Sequence, residues 1–524
     1  MRKQVQLNLT PQASADDALI RKALASVTGM EVPDISSFRI LRRSVDARKK
    51  NIRVILSIEV FTDDEPILPE ISSFRAQDVS LKKEVIIAGA GPAGLFAALR
   101  LIELGIRPII IERGRDVSSR KKDIARISRE HIVDPDSNYC FGEGGAGTYS
   151  DGKLYTRSKK RGDNLRVLEL LSLHGANSNI LYEAHPHLGT DKLPGIIANI
   201  RRSITDCGGL FMLEKRITDF VIEGDIIKGV TTSDNERLLS PYLILATGHS
   251  ARDIYEICLK RGVDLEMKSF AVGVRVEHPQ SLIDRIQYHG NERGDYLPAA
   301  AYSLAKQVDG RGVYSFCMCP GGFIVPSATS QEEVVVNGMS PSGRNSPYAN
   351  SGIVVEIRPD DLYKYSSSGV IAGIEFQKEI ERAAWERGGS TQRAPAQRLD
   401  DFVSGRFSGS LPKASYHPGM TSSPLHEWLP DSVGKRLREG FRLFGKFMHG
   451  YLTNDAVVLG VESRTSSPLR IPRDPENQCH IRIRGLYPCG EGSGYAGGIV
   501  SSAIDGMNVA DAIGRQRAKI KDKR

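Results

Sequence analysis

The sequence has few cysteines and no long apolar run. Its seven cysteines among 524 residues are an odd number, which argues against a disulfide-stapled scaffold. No window approaches the run of about 18 apolar residues that a membrane-spanning helix needs. Residues 1–8 lack the apolar core of a secretory signal peptide. These absences argue against secreted disulfide-rich and membrane-spanning classes, and we expect a protein of the reducing cytoplasm with no membrane partner.

The bulk composition is that of an ordinary globular chain. Hydrophobic residues make up 40% and charged residues 26% of the sequence. The length predicts several domains. The net charge of +8 is typical of a basic soluble protein, with a surface for nucleic acid or an anionic substrate as the alternative.

Residues 1–80 form a predicted small N-terminal module. Alternating apolar residues predict strands, and a stripe of helical spacing predicts one helix between the first two strands. The strands are predicted at 4–9, 37–44 and 52–61, the helix at 16–27, and a linker at 63–82. This β-α-β-β order favours a partial ferredoxin-like α+β module.

Three glycines form a G-x-G-x-x-G pattern between a short apolar run and a predicted helix. Gly89 permits a tight turn, Gly91 lets a diphosphate approach the backbone, and Gly94 lets helix and strand pack closely. The helix start presents free N–H groups and partial positive charge to the phosphates. Glu112 closes the next apolar strand, where a carboxylate accepts hydrogen bonds from the ribose of an adenosine. Together these features predict a dinucleotide-binding site.

Two later motifs decide which dinucleotide is expected. Leu-Ile-Leu-Ala-Thr-Gly-His at 243–249 resembles the late strand of flavoprotein FAD domains, which follows a three-stranded meander, predicted here at 210–219, 220–229 and 230–239. Gly-Leu-Tyr-Pro-Cys-Gly-Glu-Gly at 485–492 resembles their second FAD motif, in which a carboxylate meets the ribityl or diphosphate region. That carboxylate is usually Asp, and here it is Glu491, so its contact is open. These motifs favour FAD over NAD.

A third glycine cluster at 140–153 lets backbone pass close to a planar or phosphate ligand. We interpret it as a segment along the flavin, with a flexible loop as the alternative. The predicted cofactor-binding residues are Gly89, Gly91, Pro92, Ala93, Gly94, Glu112, Arg113, Gly144, Gly145, Ala146, Gly147, Thr247, Gly248, Gly490, Glu491, Gly497, Gly498 and Ile499.

Five segments together resemble a bacterial family of FAD-dependent dehydrogenases, among the glutathione-reductase-like flavoproteins. The resemblance covers nearly the whole chain and implies FAD and a redox fold, but it names no substrate. The segments are Gly-Glu-Gly-Gly-Ala-Gly-Thr-Tyr-Ser-Asp-Gly-Lys-Leu at 142–154, His-Pro-His-Leu-Gly-Thr-Asp at 185–191, Phe-Ala-Val-Gly-Val-Arg-Val-Glu-His-Pro at 270–279, Cys-Met-Cys-Pro-Gly-Gly at 317–322 and Gly-Val-Glu-Ser-Arg-Thr-Ser-Ser-Pro-Leu-Arg at 460–470.

The motifs predict an α/β fold with a discontinuous, Rossmann-like FAD-binding domain. A mixed, β-rich α+β substrate domain is inserted into it, and the Ser/Asn/Pro-rich stretch 337–351 in that insert is predicted as a mobile loop. The predicted segments are 1–80 for the N-terminal module, 83–260 and 451–515 for the two FAD-binding parts, 265–450 for the inserted domain and 516–524 for a basic tail.

Flavin chemistry needs groups that hold a substrate rather than a nucleophile. Lys153, His187 and Arg464 are the candidate catalytic residues. Arg464 with nearby hydroxyls suits a carboxylate or phosphate, and interdomain salt bridging is the alternative. The substrate-binding candidates are Glu462, Arg464, Thr465 and Ser466.

Two further clusters leave alternatives open. His185, His187 and Asp191 lack a convincing further ligand, so we expect no metal site and read them as substrate-facing or structural. Cys317 and Cys319 form a C-x-C that is either a redox pair near the flavin or a strand with small side chains.

The expected function is an FAD-dependent dehydrogenase that acts on a small molecule. No second G-x-G-x-x-G follows a strand, so a transiently docked NAD(P)H or a redox carrier are alternative electron donors. Two other functions stay open, a non-catalytic flavin-binding protein and a flavoprotein that binds RNA. The second would use a basic cluster of the N-terminal module formed by Arg42, Arg43, Arg48, Lys49 and Lys50.

Overall fold

The computed structural model describes residues 2–62, 71–155, 162–290 and 292–521. The α-helices are α1 (Asp17–Thr28), α2 (Pro92–Glu103), α3 (Val117–Glu130), α4 (Asn164–Leu173), α5 (Leu193–Asp206), α6 (Arg252–Lys260), α7 (Gln280–Gln287), α8 (Ala372–Arg387), α9 (Leu399–Ser404), α10 (Leu425–Trp428), α11 (Asp431–Phe447) and α12 (Ile499–Lys521). The strands are β1 (Arg2–Leu9), β2 (Ser37–Asp46), β3 (Arg53–Phe61), β4 (Glu84–Ala88), β5 (Arg107–Ile111), β6 (Leu210–Met212), β7 (Ile217–Glu223), β8 (Ile226–Thr232), β9 (Arg237–Leu239), β10 (Leu243–Leu245), β11 (Glu266–Met267), β12 (Phe270–Pro279), β13 (Ala305–Val308), β14 (Arg311–Cys319), β15 (Phe323–Pro326), β16 (Val336–Met339), β17 (Tyr348–Ile357), β18 (Ala394–Arg398), β19 (Met420–Ser422), β20 (Val457–Glu462), β21 (Leu469–Arg470) and β22 (Leu486–Pro488).

The N-terminal module has the predicted β-α-β-β order. Its antiparallel sheet has the strand order β1-β3-β2. The Asp16 carboxylate caps α1 by accepting from the N–H groups of Ala18 and Leu19. Buried Leu24 of α1 belongs to the same core cluster as Leu56 of β3. Residues 2–62 contain one α-helix and three strands, and the ferredoxin-like resemblance of the module stays a prediction. Part of the predicted linker, residues 63–70, lies outside the described residues.

A five-stranded parallel sheet forms the centre of the part predicted to bind a nucleotide. Its strand order is β22-β10-β4-β5-β6. Separate apolar clusters cover its two faces, one including α2, α5 and α12 and the other including α6. Coverage on both faces explains why β4 and β10 are uninterrupted apolar runs. The α12 helix extends to Lys521, into the predicted basic tail 516–524, of which residues 522–524 lie outside the described residues.

The antiparallel meander between β6 and β10 differs from its predicted boundaries. Its sheet has the order β7-β8-β9, whereas β6 belongs to the parallel sheet. The predicted strand 210–219 is interrupted at Glu214, which has a positive φ of 57°, and the predicted strand 220–229 turns at Gly224, with a φ of 58°. The predicted boundaries of the three strands at 210–239 are therefore wrong. Because Glu214 is not a typical turn residue such as glycine, the sequence did not indicate a turn at this position.

The inserted part contains a seven-stranded sheet with the order β13-β14-β17-β12-β20-β18-β19. Helices α8 and α11 contribute buried residues to its core. Strand β20 lies inside this sheet between β12 and β18, although the sequence pattern assigns it to the returning segment 451–515. The predicted mobile loop 337–351 is wrong at both ends, because the end of β16 and the start of β17 are paired strands.

Across the described residues, no helix combines the length and apolarity that crossing a bilayer would require.

Candidate functional site

A cavity of about 560 Å³ opens at the carboxyl edge of the parallel sheet and extends to the inserted sheet. Strands β4, β5, β10 and β22 run parallel, so the segments that follow them meet at one edge. Such an edge is where nucleotides bind in open α/β sheets. The predicted cofactor residues that line the cavity are Gly89, Gly91, Pro92, Ala93, Glu112, Arg113, Gly145, Ala146, Gly147, Thr247, Gly248, Gly490, Glu491, Gly497, Gly498 and Ile499.

The three glycines of the first turn have different environments. Gly89 has a φ of 101°, and a Cβ there would lie 2.5 Å from the Ala246 oxygen. A Cβ on Gly94 would lie 2.0 Å from the Gly89 oxygen, so Gly94 is needed for close packing of helix and strand. At Gly91 the nearest protein atom would be 3.9 Å away, at Gly145. The space above Gly91 is therefore open to the cavity, as a diphosphate at the start of α2 requires.

The second glycine-rich segment packs directly against this turn. The N–H of Gly144 donates to the Ala90 oxygen at 2.9 Å. Gly144 itself does not line the cavity, because a Cβ there would lie 2.0 Å from Thr148 Oγ1 within the protein. A Cβ on Gly145 would lie 3.1 Å from Gly91 Cα, so the two glycines let both backbones approach one ligand.

Arg120 holds this segment in place and was not singled out from the sequence. It is fully buried on α3, and its guanidinium donates to the oxygens of Asn138, Tyr139 and Glu143 at 2.7–2.9 Å. Its partners lie 18 to 23 residues away. No local motif would reveal that pairing.

The Glu112 carboxylate stabilises the glycine turns as well as lining the cavity. One oxygen accepts from the Ala90 N–H at 2.9 Å, and the other accepts from the N–H groups of Gly114 and Gly142. The next residue, Arg113, stacks on Phe141 at 4.2 Å. The predicted ribose contact of Glu112 would add to these three hydrogen bonds.

The segments after β10 and β22 complete the same wall. The N–H of Gly490 donates to Asp505 at 2.7 Å, and Asp505 pairs with Arg473. Burial raises the pKa of the Glu491 carboxyl to about 7, with Lys268 opposing the shift. His249 Nε2 lies 3.8 Å from Glu491 Oε1, and burial lowers the pKa of His249 to about 3. The sequence motif contained His249 but gave no reason to select it.

Helix α12 begins at Ile499, at the cavity wall. A Cβ on Gly497 or Gly498 would meet no protein atom within 4 Å. The helix start is thus uncovered on the cavity side, and its N–H groups can face a phosphate or an electron-rich ring.

Lys153 lies at the cavity, but His187 does not line it. The Lys153 ammonium donates to the Met318 oxygen and lies 3.4 Å from Asp151. Asp151 is buried, accepts from Arg344 at 3.2 Å and lies 3.8 Å from His187. Burial and the charge of Arg344 lower the pKa of His187 to about 4, so the imidazole is neutral at pH 7. His185 instead faces the ring of Tyr155.

Arg464 lines the cavity, and its guanidinium makes four hydrogen bonds to protein groups. It binds both oxygens of Glu381 at 2.9 and 3.1 Å and contacts Glu333 and Thr329, each at 2.7 Å. Arg252 of α6 contacts the same two glutamates. This geometry matches interdomain salt bridging, the alternative that the sequence left open.

The other candidate substrate-binding residues differ in whether they line the cavity. Thr465 lines the cavity, but its hydroxyl donates to the Ala271 oxygen at 2.8 Å. Glu462 is buried away from the cavity beside Arg275 at 3.3 Å, and burial raises its pKa to about 8. Ser466 does not line the cavity.

The C-x-C pair lies where β14 meets the cavity. Cys317 lines the cavity, Cys319 is buried, and their sulfurs are 4.0 Å apart. Cys317 also lies 3.9 Å from the Lys153 ammonium. The structure therefore brings the cysteines and Lys153 together, which the sequence did not predict.

The basic cluster of the N-terminal module is partly neutralised. Arg48 pairs with Asp46 at 2.7 Å, and Arg43 lies 3.9 Å from Glu183. Arg42, Lys49 and Lys50 are exposed.

Three family matches cover most of the chain. Residues 82–128 match a family described as FAD binding domain, and residues 269–465 match one described as FAD-dependent protein, C-terminal domain-like. Residues 1–61 match a domain of unknown function. The open space at Gly91 and at the start of α12 fits this cofactor, and FAD is the cofactor of the chain.

Relatives were found among curated proteins and solved structures. An uncharacterized protein of Clostridium beijerinckii is 40% identical over 95% of this chain and 97% of its own length. A thiamine thiazole synthase of Aeropyrum pernix is 27% identical over 33% of this chain and 56% of its own length. The crystal structure of L-proline dehydrogenase from P. horikoshii aligns with a TM-score of 0.31 and 12% identity, over 84% of this chain and 94% of that one.

Proposed function

The chain belongs to the same family as the Clostridium beijerinckii protein and binds FAD, and we propose that it is an oxidoreductase that moves a hydride or an electron pair between FAD and a small molecule. The observation that carries this proposal is the mixed lining of one cavity. Its glycine turns suit a dinucleotide, whereas Lys153, Asp151 and Cys317 add polar and reactive groups that dinucleotide binding does not need.

The residues divide into two roles. Gly91, Glu112 and the start of α12 would hold the diphosphate and ribose, and the bound FAD would supply the electron-accepting ring. Lys153 would present a positive charge to a substrate or to developing negative charge, while Asp151 and the Met318 oxygen orient its ammonium group. His187, neutral at pH 7, would support Asp151 rather than donate a proton.

Arg464 contributes to this function by position. Its hydrogen bonds to Glu381, Glu333 and Thr329, together with the Arg252–Glu381 pair, join α6 of the nucleotide-binding part to α8 of the inserted part. A fixed interface keeps the cavity walls at one spacing, as a preorganised site requires. Anion recognition is therefore proposed for Lys153 rather than Arg464.

The test is anaerobic reduction of the purified holoprotein. The protein is mixed with NADH, NADPH and a panel of small metabolites, and the loss of flavin absorbance is followed, with free FAD as the control. We expect one donor to bleach the bound flavin much faster than free FAD. A bound flavin that dithionite reduces but that no member of the panel reduces would favour a non-catalytic flavin-binding protein.

A further inference from the structure

Cys317 and Cys319 lie at a β-bulge in strand β14. Phe316 pairs with Gly352 and Cys319 pairs with Asn350 on the neighbouring strand, so two residues of β14 stand opposite one of β17. Such a bulge re-aims side chains and is common beside active sites. Cys317 has a φ of 47°, a left-handed conformation that non-glycine residues rarely adopt. The backbone at this pair of cysteines therefore departs from regular strand geometry.

The bulge sets the two sulfurs 4.0 Å apart in different surroundings. Cys317 is partly exposed and lines the cavity, whereas Cys319 is fully buried. The Cys319 thiol also contacts the Cys317 oxygen at 3.2 Å. A disulfide bond of about 2.05 Å requires these two sulfurs to approach each other by about 2 Å.

Two cations adjoin the pair. Lys153 Nζ lies 3.9 Å from Cys317 Sγ, and buried Arg275 donates to the Cys317 oxygen at 2.9 Å. Asp151, 3.4 Å from Lys153, and Glu462, 3.3 Å from Arg275, are the acids that face them. The contact with Cys319, aided by Lys153 and Arg275, holds the pKa of Cys317 well below its usual range although burial opposes the shift. The same contact and burial raise the pKa of Cys319.

We propose that Cys317 and Cys319 are a reversible dithiol/disulfide pair that exchanges two electrons with the FAD of this cavity. When the Sγ–Sγ bond forms, two S–H bonds break, and the two electrons and two protons pass to the oxidised flavin. The reverse step returns both thiols. This inference rests on the proposed function and deepens it, because it assigns a thiol or disulfide compound as the substrate class.

The order of chemistry follows from the geometry. The Cys317 sulfur would attack an incoming disulfide compound, since it faces the cavity and is held next to Lys153. This attack breaks the S–S bond of the compound, forms a mixed disulfide with Cys317 and releases the other half as a thiol. Cys319, buried 4.0 Å away, would then displace the bound half and close the intramolecular bond. Reduced FAD in the same cavity, supplied with electrons by the small-molecule donor of the proposed function, would then pass two electrons and two protons to the Sγ–Sγ bond and return both thiols.

The test is an anaerobic reductive titration of mildly oxidised holoprotein. Wild type is expected to take up four electrons per bound FAD, and both Cys317→Ser and Cys319→Ser are expected to take up two. Cys479→Ser, which removes a half-buried cysteine outside the cavity, should keep the uptake at four. Peptide mass mapping of the oxidised wild type should show the segment with both cysteines lighter by two hydrogens.

The FAD content of each variant is measured first. If Cys317→Ser loses flavin, Cys319→Ser and the mass readout on wild type still decide the matter. A yellow wild type that takes up only two electrons, with both thiols free after oxidation, overturns this inference and leaves the proposed function standing. A colourless wild type overturns both.

Discussion

Arg464, two residues after β20, forms a buried two-bond ion pair with Glu381 of helix α8, with N–O distances of 2.9 and 3.1 Å. Glu381 also accepts from Arg252 and from the Ser463 hydroxyl, so both of its oxygens are satisfied. Removing one member of a buried pair leaves a buried charge without its partner, which is costly. Replacing Arg464 therefore distinguishes a structural role, which predicts a loss of stability, from a substrate-binding role, which predicts a loss of turnover.

We predict that Arg464→Met lowers the free energy of unfolding by about 3 kcal/mol, the lower end for a broken buried pair because Arg252 still contacts Glu381. The matched control is Arg382→Met on α8, the helix that carries Glu381. The exposed Arg382 side chain pairs with Glu332 and Glu386, and its loss should cost below about 1 kcal/mol. Urea unfolding of both variants measures the difference. Equal stability of Arg464→Met and wild type, with loss of turnover, would instead favour substrate binding by Arg464.

The same pair predicts an acid dependence. The charges of Arg252 and Arg464 outweigh burial and lower the pKa of Glu381 from 4.5 to about 2. A depressed carboxyl pKa contributes stability that is present above the unfolded pKa and is lost as pH falls towards the folded one. The stability gap between wild type and Glu381→Gln should thus be full above about pH 5 and shrink as pH falls towards about 2. A gap that widens on acidification would contradict this assignment.

Gly91 and Gly94 should respond differently to substitution. Gly91 has an ordinary φ of −75° and open space above it, so Gly91→Trp should fold normally but retain at least about tenfold less FAD. At Gly94 a Cβ would collide with the Gly89 oxygen, so Gly94→Ala should destabilise the fold by about 1–3 kcal/mol. Flavin absorbance per protein and the melting temperature separate the two effects. Full flavin retention by a folded Gly91→Trp would show that the diphosphate does not bind at this turn.

These glycines also show what the sequence could predict. Because all of them lie in one turn between β4 and α2, their spacing was sufficient to predict the tight turn at Gly89 and the close packing at Gly94, while the diphosphate contact of Gly91 stays a prediction. The sequence could not predict the partners of Arg464, because Glu381 and Glu333 lie 83 and 131 residues away in the chain. The assignment of β20 had the same cause, since its apolar residues suit either sheet and only pairing with β12 and β18 decides. The sequence therefore indicated features that depend on neighbouring residues, but it did not indicate which distant segments pair.

Lys153 should control the reactivity of Cys317. Replacing it by Gln removes the cation 3.9 Å from the sulfur, so the pKa of Cys317 should rise and its alkylation near pH 7 should slow by about tenfold. The rate is measured against pH with iodoacetamide and peptide mapping. Lys192→Gln is the control, because Lys192 is exposed beside Asp191 and does not line the cavity. An unchanged alkylation profile in Lys153→Gln would show that the thiolate is stabilised elsewhere.

Glu491 should make FAD binding depend on pH. Burial raises the pKa of its carboxyl to about 7, so this group is half ionised near neutrality. The diphosphate of FAD is anionic and binds better beside a neutral carboxyl, so affinity should be highest below about pH 7 and fall by up to tenfold per unit above it. Quenching of FAD fluorescence on titration with apoprotein measures the dissociation constant at each pH. Glu491→Gln keeps the size and stays neutral, and its affinity should be independent of pH across this window. If the variant kept the wild-type slope, another group would carry the dependence, and Glu491 would not lie beside the diphosphate.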